Sequence, residues 1–224
     1  VASLFHWTFG ARERRVLRDR ACSIRKAADP IFILGHWGSG TTWLHSLMTQ
    51  DKRMAFCTLF DVANPHTMLT SEAFQRRCFE RFTPARRVWD NVAVSLDMPA
   101  EDEFAVSILT PMSPYLAWCF PRREKHYDRF LTFADASPAE TEAWRSALVG
   151  WVRKLQLKYD GRQLVLKSPT HTARIRLLLD LFPHARFVHL NRNPCDVFQA
   201  TRRVYAKALP YFYLQKAHPD VEVD

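Results

Sequence analysis

A glycine-rich segment in the first quarter of the chain has the residue types that hold an anion. The stretch Ile31–Met48 reads IFILGHWGSGTTWLHSLM. Gly35 and Gly40 have the G-x-x-x-x-G spacing of a triphosphate-binding loop, but that motif continues with Lys and then Ser or Thr. This chain continues with Thr41 and Thr42. Because loop N–H groups and a helix N-terminus attract anions, the segment predicts a phosphate-type site without the triphosphate lysine. A tight turn that binds no ligand is the alternative.

A lysine ends a second apolar run. The residues LVLK (164–167) predict a buried strand that stops at Ser168-Pro169. Ligands of open α/β sheets bind at the carboxyl ends of parallel strands. We therefore expect Lys167 to place a cation beside the bound anion. The alternative is a lysine whose amine only reaches solvent from a strand end.

An acidic cluster, EDE (101–103), follows a proline at an expected helix start. Glu101 is the first candidate for a general base and Glu103 the second, because a carboxylate that points inward can accept a proton from a substrate. Glu101 is expected to share a helical face with the apolar residues Phe104, Ala105 and Ile108. Acidic residues that only complement a helix dipole are the alternative. Four histidines are further candidate bases: His36, His45, His171 and His189.

The elements that position these residues follow from hydrophobic periodicity and from Gly and Pro breaks. We expect an α/β fold, a P-loop-like short parallel sheet flanked by helices, in a single domain over residues 1–224. The strand at 164–167, the helix at 175–181 and the strand at 186–190 form a βαβ unit, which implies a right-handed crossover. The other expected elements are a helix at 8–28, a strand at 31–35, a helix at 41–50 and mainly helices over 51–160.

Composition excludes several classes of protein. With 224 residues and 47% hydrophobic residues, the chain is expected to be globular rather than disordered. No apolar run reaches the ~18 residues of a membrane span, and the N-terminus does not have the pattern of a secretion signal. The 5 cysteines include no C-x-x-C pair, so neither a zinc site nor a disulfide framework is expected, and the setting is expected to be cytoplasmic.

The net charge of +9 favours an anionic ligand. Nucleic acid is not expected as a partner, because the basic residues show no motif with interleaved aromatic side chains. The densest basic residues lie on the first helix, between positions 12 and 26. They indicate a solvated helix face, with contact to a membrane surface or a partner as the alternative.

Several motifs resemble those of PAPS-dependent sulfotransferases, which use 3′-phosphoadenosine 5′-phosphosulfate. The motif GSGTTW (38–43) after a buried strand and FVHLNRNPCDV (187–197) much later carry the resemblance. LFPHARFVHLNRNP (181–194), LKSPTH (166–171) and PAEDEFA (99–105) are similar to the bacterial branch of that family. The resemblance covers roughly residues 30–205 and implies PAPS as the donor and PAP as the product.

The resemblance implies a role for each matching residue. The aromatic residue after the two threonines, Trp43, stacks on adenine in the family, and Arg192 binds the 3′-phosphate, as guanidinium groups pair well with phosphate. The 5′-phosphosulfate falls on the loop that begins at Gly38, namely on Ser39, Gly40, Thr41 and Thr42.

The chain departs from the family pattern at three places. The family has Lys or Arg at the position of Gly38, and Ser at the position of Ala200, where Thr201 is the expected substitute. A downstream Lys/Arg-Gly loop is missing before the chain ends at residue 224, so a C-terminally truncated domain is one interpretation. Because the loop cation is absent, Lys167 is expected to replace it, and Gly38→Arg is expected to hold or raise turnover.

These residues predict in-line transfer of a sulfuryl group from PAPS to a hydroxyl or amine. Such a reaction depends mainly on positioning and charge stabilisation, and no metal is expected. The acceptor stays open among a small molecule, a lipid, a saccharide and a peptide, and the oligomeric state stays open as well. The alternatives are a non-catalytic PAP- or PAPS-binding protein and, less favoured, a P-loop small-molecule kinase, which the threonine at position 41 argues against.

Overall fold

The computed structural model describes residues 2–20, 28–87 and 91–216. Four strands form one sheet: β1 (Ile31–Leu34), β2 (Met54–Ala55), β3 (Gln163–Lys167) and β4 (Arg186–His189). The helices are α1 (Ala2–Arg20), α2 (Thr41–Met48), α3 (Leu59–Ala63), α4 (Glu72–Phe82), α5 (Asp102–Leu109), α6 (Tyr115–Cys119), α7 (Glu124–Asp128), α8 (Pro138–Lys158), α9 (Ile175–Leu181) and α10 (Pro194–Ala208). Short 3-10 turns lie at Pro121–Arg123, Pro169–Ala173 and Leu209–Tyr211.

The sheet is parallel throughout and has the order β2-β3-β1-β4. The register pairs Ile33 of β1 with Lys167 of β3, and Leu34 of β1 with His189 of β4. The ends of these three strands therefore meet at one edge, the usual place for a ligand in an open α/β sheet. This arrangement confirms the expected α/β fold with a short parallel sheet.

The expected elements differ from the observed ones mainly at their ends. The strands and the helix over 175–181 agree within a residue, but the short strand β2 was missed, since two residues carry no periodic signal. Helix α1 starts at Ala2 rather than at residue 8, and the expected continuation over 21–27 lies outside the described residues. In the expected βαβ unit, β4 does not pair with β3, because β1 lies between them.

Helix α8 provides much of the core behind the sheet. Its start has Pro138 at the first position and a capping box between Ser137 and Glu140, so two otherwise unpaired backbone donors are satisfied. One face of the helix is fully buried in the core cluster that also contains Phe32, Leu164 and Leu166 of the sheet. In such a core, replacing a tryptophan by alanine typically costs ~3–5 kcal/mol. The buried residues of this face recur at helical spacing: Trp144, Leu148, Trp151 and Leu155.

Helix α5 carries the expected acidic cluster to the sheet. It packs against α8 and α3, and Asp102 and Glu103 in its first turn are fully buried. Buried carboxylates need hydrogen-bond or charge partners, and for this helix they come from the segment after β3. Among the helices of the described ranges, none is long and apolar enough to cross a membrane.

Candidate active site

The turn between β1 and α2 is built tightly. A Cβ atom on Gly35 would lie 2.7 Å from Ser39 Oγ and 2.8 Å from Thr41 Cγ2, so only glycine fits there. The hydroxyl of Ser39 donates to the carbonyl of His36 at 2.7 Å, and its backbone N–H donates to the same oxygen. Ser39 therefore shapes the turn through two hydrogen bonds to one carbonyl oxygen.

The backbone donors that could contact an anion lie directly after this turn, at the start of α2. The N-cap position is Gly40, which has no side chain to cap the helix. The N–H groups of the first turn, from Thr41, Thr42 and Trp43, therefore have no partner within the helix. Together with the positive end of the helix dipole, they offer donors to an anion at the position where the sequence predicts an anion site.

Lys167 is the last residue of β3, which lies between β2 and β1 in the sheet. Its side chain is almost completely buried, at 3% exposure, although it carries a charge. Its Nζ atom donates to Thr42 Oγ1 at 3.2 Å and to Glu101 Oε1 at 2.5 Å. The structure thus brings together a candidate cation, a hydroxyl from the first turn of α2 and a candidate base that are far apart in the sequence.

Glu101 has a second partner that sequence reasoning missed. Tyr115 Oη donates to Glu101 Oε2. Burial, reinforced by the negative charge of Glu101, raises the pKa of Tyr115 well above its ordinary value, so the phenol keeps its proton. Each oxygen of the Glu101 carboxylate therefore accepts one hydrogen bond, which fixes the orientation of the group.

The reason given for an inward-pointing Glu101 was wrong, although its carboxylate does point inward. Helix α5 begins at Asp102, and Glu101 has an extended backbone at the N-cap position. Ile108, expected on the same buried face, is 49% exposed. Lys167 and Tyr115 hold the carboxylate, rather than a shared apolar face.

Glu103, the second candidate base, lies in a different environment. It is fully buried and forms an ion pair with Arg174, at 2.7 and 3.2 Å. Ser113 and Thr170 donate to the same carboxylate, at 2.6 and 3.1 Å. With both oxygens occupied by these donors, Glu103 is held inside the protein, whereas Glu101 faces Lys167.

Two of the four candidate histidines are buried. Burial, followed by the positive charge of Lys167, lowers the pKa of His45 to about 4, so its ring is neutral near pH 7. His171 Nε2 donates to Asp102 Oδ2 at 2.7 Å. Burial alone would raise the pKa of Asp102. The charge of His171 and the hydrogen bonds to the carboxylate outweigh burial and lower that pKa below its ordinary value. His36 and His189 are exposed.

The residues expected to hold the nucleotide lie around the turn. Arg192 Nη1 donates to the carbonyl of Gly38 at 3.1 Å, and Arg192 Nε lies 3.6 Å from Asp196 Oδ2. The Arg192 side chain is 46% exposed, so its Nη2 group can reach a ligand. The indole of Trp43 is 71% exposed. The hydroxyl of Thr201 donates to the carbonyl of Trp37 at 2.9 Å, and this hydrogen bond connects α10 to the turn.

The two departures from the family pattern lie against each other. Gly38 has a φ of +80°, and a Cβ atom there would lie 2.7 Å from the Cβ atom of Ala200. A larger side chain at position 38 is therefore strained by its backbone and by a contact with α10. These steric contacts argue against the expectation that Gly38→Arg holds or raises turnover.

Among the side chains of the described ranges, no group of three or more His, Cys, Asp or Glu is arranged to hold a metal ion. The geometry instead offers backbone donors, a buried lysine and a fixed carboxylate at one edge of the sheet. Such a set can hold a phosphate-like group, stabilise negative charge and accept a proton.

Comparisons with known proteins identify relatives of this chain. The chain is 35% identical over 207 residues to the omega-hydroxy-beta-dihydromenaquinone-9 sulfotransferase Stf3 of Mycobacterium bovis and of Mycobacterium tuberculosis. These alignments cover 92% of this chain and 53% of each relative, so the chain spans about half the length of the curated relatives it matches.

Two solved structures share the fold. The sulfotransferase STF9 from Mycobacterium avium superposes with a TM-score of 0.62 and 20% identity, over 87% of this chain and 50% of that one. STF1 from Mycobacterium tuberculosis gives a TM-score of 0.53 and 14% identity, over 89% of this chain and 62% of that one. Residues 30–223 match the sequence profile described as the Sulfotransferase family, and the chain therefore belongs to that family.

Proposed function

We propose that this protein transfers the sulfuryl group of PAPS to a hydroxyl, or an amine, of an acceptor by in-line displacement. The observation that carries the proposal is the position of Lys167 Nζ, which contacts both Thr42 Oγ1 and Glu101 Oε1. Sulfuryl transfer needs a cation, donors for the leaving phosphate and a base, and these groups meet here.

The residues fit PAPS as donor, and three features support this. The free N–H groups at the start of α2 and the hydroxyls of Thr41 and Thr42 suit the 5′-phosphosulfate. Arg192, anchored on Gly38 with donors to spare, suits the 3′-phosphate. The exposed indole of Trp43 suits the adenine ring. When bound, PAPS supplies the sulfuryl group that is transferred.

The roles of the other residues follow from their contacts. Lys167 stabilises the negative charge that develops beside Thr42. Glu101 accepts the proton of the acceptor hydroxyl through a lone pair not used by Lys167 or Tyr115, because each carboxylate oxygen can accept more than one hydrogen bond. Tyr115 keeps the carboxylate oriented. Glu103 is assigned to the buried ion pair with Arg174 rather than to catalysis.

The acceptor we propose is a hydroxyl on an apolar, lipid-like molecule. Tyr115, which binds the Glu101 carboxylate, belongs to a cluster of aromatic side chains. Tyr115 stacks on Trp118 with ring centroids 4.3 Å apart, and the ring centroid of Trp37 lies 6.1 Å from that of Trp118. Flat apolar side chains of this kind favour apolar ligands. The Stf3 relatives, named for a dihydromenaquinone derivative, support the same class.

Transfer from sulfur-labelled PAPS tests the proposal, with thermal shift by PAP, PAPS and ATP as a binding control. We expect stabilisation by PAP and PAPS and label in long-chain phenols or alcohols. Tight PAP binding with no labelled acceptor would favour the non-catalytic PAP-binding protein. Stabilisation by ATP alone would favour the kinase.

A further inference from the structure

The residue at the N-cap position of α5 does not cap the helix with its own side chain. N-cap positions favour Ser, Thr, Asp or Asn, whose side chains accept a hydrogen bond from the first turn. Here the position is held by Glu101, whose side chain makes no capping bond within the described chain, because its carboxylate is bound to Lys167 and Tyr115. A group from elsewhere must satisfy the buried N–H groups of this turn.

Ser168 supplies that group. Its Oγ atom accepts a hydrogen bond from the backbone N–H of Glu103 at 3.0 Å and donates to Asp102 Oδ1 at 2.9 Å. Ser168 is fully buried and directly follows Lys167. Lys167, the last residue of β3, therefore binds Glu101. Ser168, the next residue, caps the helix that begins beside Glu101.

His171 fixes the other oxygen of Asp102. Nε2 of His171 donates to Asp102 Oδ2 at 2.7 Å, and both side chains are fully buried. The imidazole itself packs edge-on against Phe32 of β1, with ring centroids 5.1 Å apart. The first turn of α5 is thus tied to the strand end by side chains that have little freedom to move.

We infer that Ser168, supported by His171 through Asp102, is a positioning residue that sets the Glu101 carboxylate against Lys167 Nζ. The inference rests on the proposed function for its kinetic consequence. Reacting groups displaced by about 1 Å lose roughly 10²-fold in rate, and supporting hydrogen bonds of this kind hold such groups in place.

The test combines Ser168→Ala with a matched control, Ser71→Ala. Ser71 is also buried, and its hydroxyl donates to Thr67 at 2.7 Å, but it lies at the start of α4. We expect Ser168→Ala to slow single-turnover sulfate transfer about 10- to 100-fold with unchanged PAP affinity, and Ser71→Ala to alter neither. Ser168→Thr, which keeps the hydroxyl, should restore most of the rate.

A double-variant cycle separates positioning from general loss of structure. If Ser168 acts through Glu101, Ser168→Ala costs nothing further in a Glu101→Gln background, because the carboxylate it positions is gone. The inference is overturned if the rate losses of Ser168→Ala and Glu101→Gln multiply in the double variant. It is also overturned if Ser168→Ala alone transfers sulfate at the wild-type rate. If Ser168→Ala does not fold, Ser168→Cys replaces it, since a thiol is only a weak hydrogen-bond donor and acceptor.

A crystal structure of the Ser168 variant tests the inference without any transfer activity. Loss of the contact between Lys167 Nζ and Glu101 Oε1, with retention of that contact in Ser71→Ala, supports positioning by Ser168. An unchanged contact refutes it. If the wild type itself transfers no sulfate to any acceptor, the proposed function fails, and the structural comparison still decides the role of Ser168.

Discussion

Replacing Lys167 with methionine removes the buried charge while keeping most of the side-chain volume. Lys167 Nζ lies 3.2 Å from Thr42 Oγ1, in the turn proposed to hold the phosphosulfate. A unit charge about 4 Å from another, at an effective dielectric constant of ~20, contributes about 4 kcal/mol. Glu101, at 2.5 Å from the same Nζ atom, offsets part of this charge. We therefore expect the transfer rate to fall by ~10²–10³, the usual effect of removing one preorganised donor.

The assay is single-turnover transfer from sulfur-labelled PAPS, with PAP affinity measured in parallel. PAP affinity should change little in Lys167→Met, because the first-turn N–H groups of α2 and Arg192 remain. The matched control is Lys154→Met, which removes a lysine of α8 whose Nζ atom lies 2.8 Å from Glu13 Oε1 of α1. That variant should lose stability but keep its transfer rate. Undiminished transfer by Lys167→Met would refute the role given to the lysine.

Three further outcomes follow from the structure. Arg192→Ala should weaken PAP binding at least tenfold and leave AMP binding unchanged, since a charge-assisted bond contributes ~1.5–3 kcal/mol; equal losses for both ligands in titration calorimetry would contradict this. Gly38→Arg should lower the melting temperature and the transfer rate, whereas Gly38→Arg with Ala200→Gly should lower them less; a stable, active single variant would show the steric argument to be mistaken. The pKa of His45 is lowered to about 4 in the folded protein. As the pH falls from 6.5 to 4, His45 therefore binds a proton in the unfolded chain but not in the folded one, and the unfolding free energy should fall by about 3 kcal/mol. His45→Gln should remove that part of the pH dependence in urea unfolding.

The elements with strong local patterns could be predicted from the sequence. The buried run before the glycine-rich turn, the strand ended by Lys167 and the helix over 175–181 were found within a residue, because periodicity and turn residues specify them locally. The strand ends then had to meet at one edge, since parallel strands share their direction. That rule alone placed Lys167 near the turn.

The partners across the site could not be predicted, because they are contacts between distant segments. No local signal in the sequence links the hydroxyl of Tyr115 to Glu101. Ser168 was identified as a strand end rather than as the cap of α5. Gly38 and Ala200 were interpreted as separate departures, whereas the structure packs them together.

The central claim is that Lys167, Thr42 and Glu101 form a sulfuryl-transfer site. Its most direct test follows sulfur-labelled PAPS through one turnover with a long-chain phenol in detergent micelles, in the wild type and in Lys167→Met and Glu101→Gln. We expect the wild type to form labelled acceptor and PAP in equal amounts, and both variants to bind PAP while transferring far less. A wild type that binds PAP but labels no acceptor, or variants that transfer at its rate, would contradict the account.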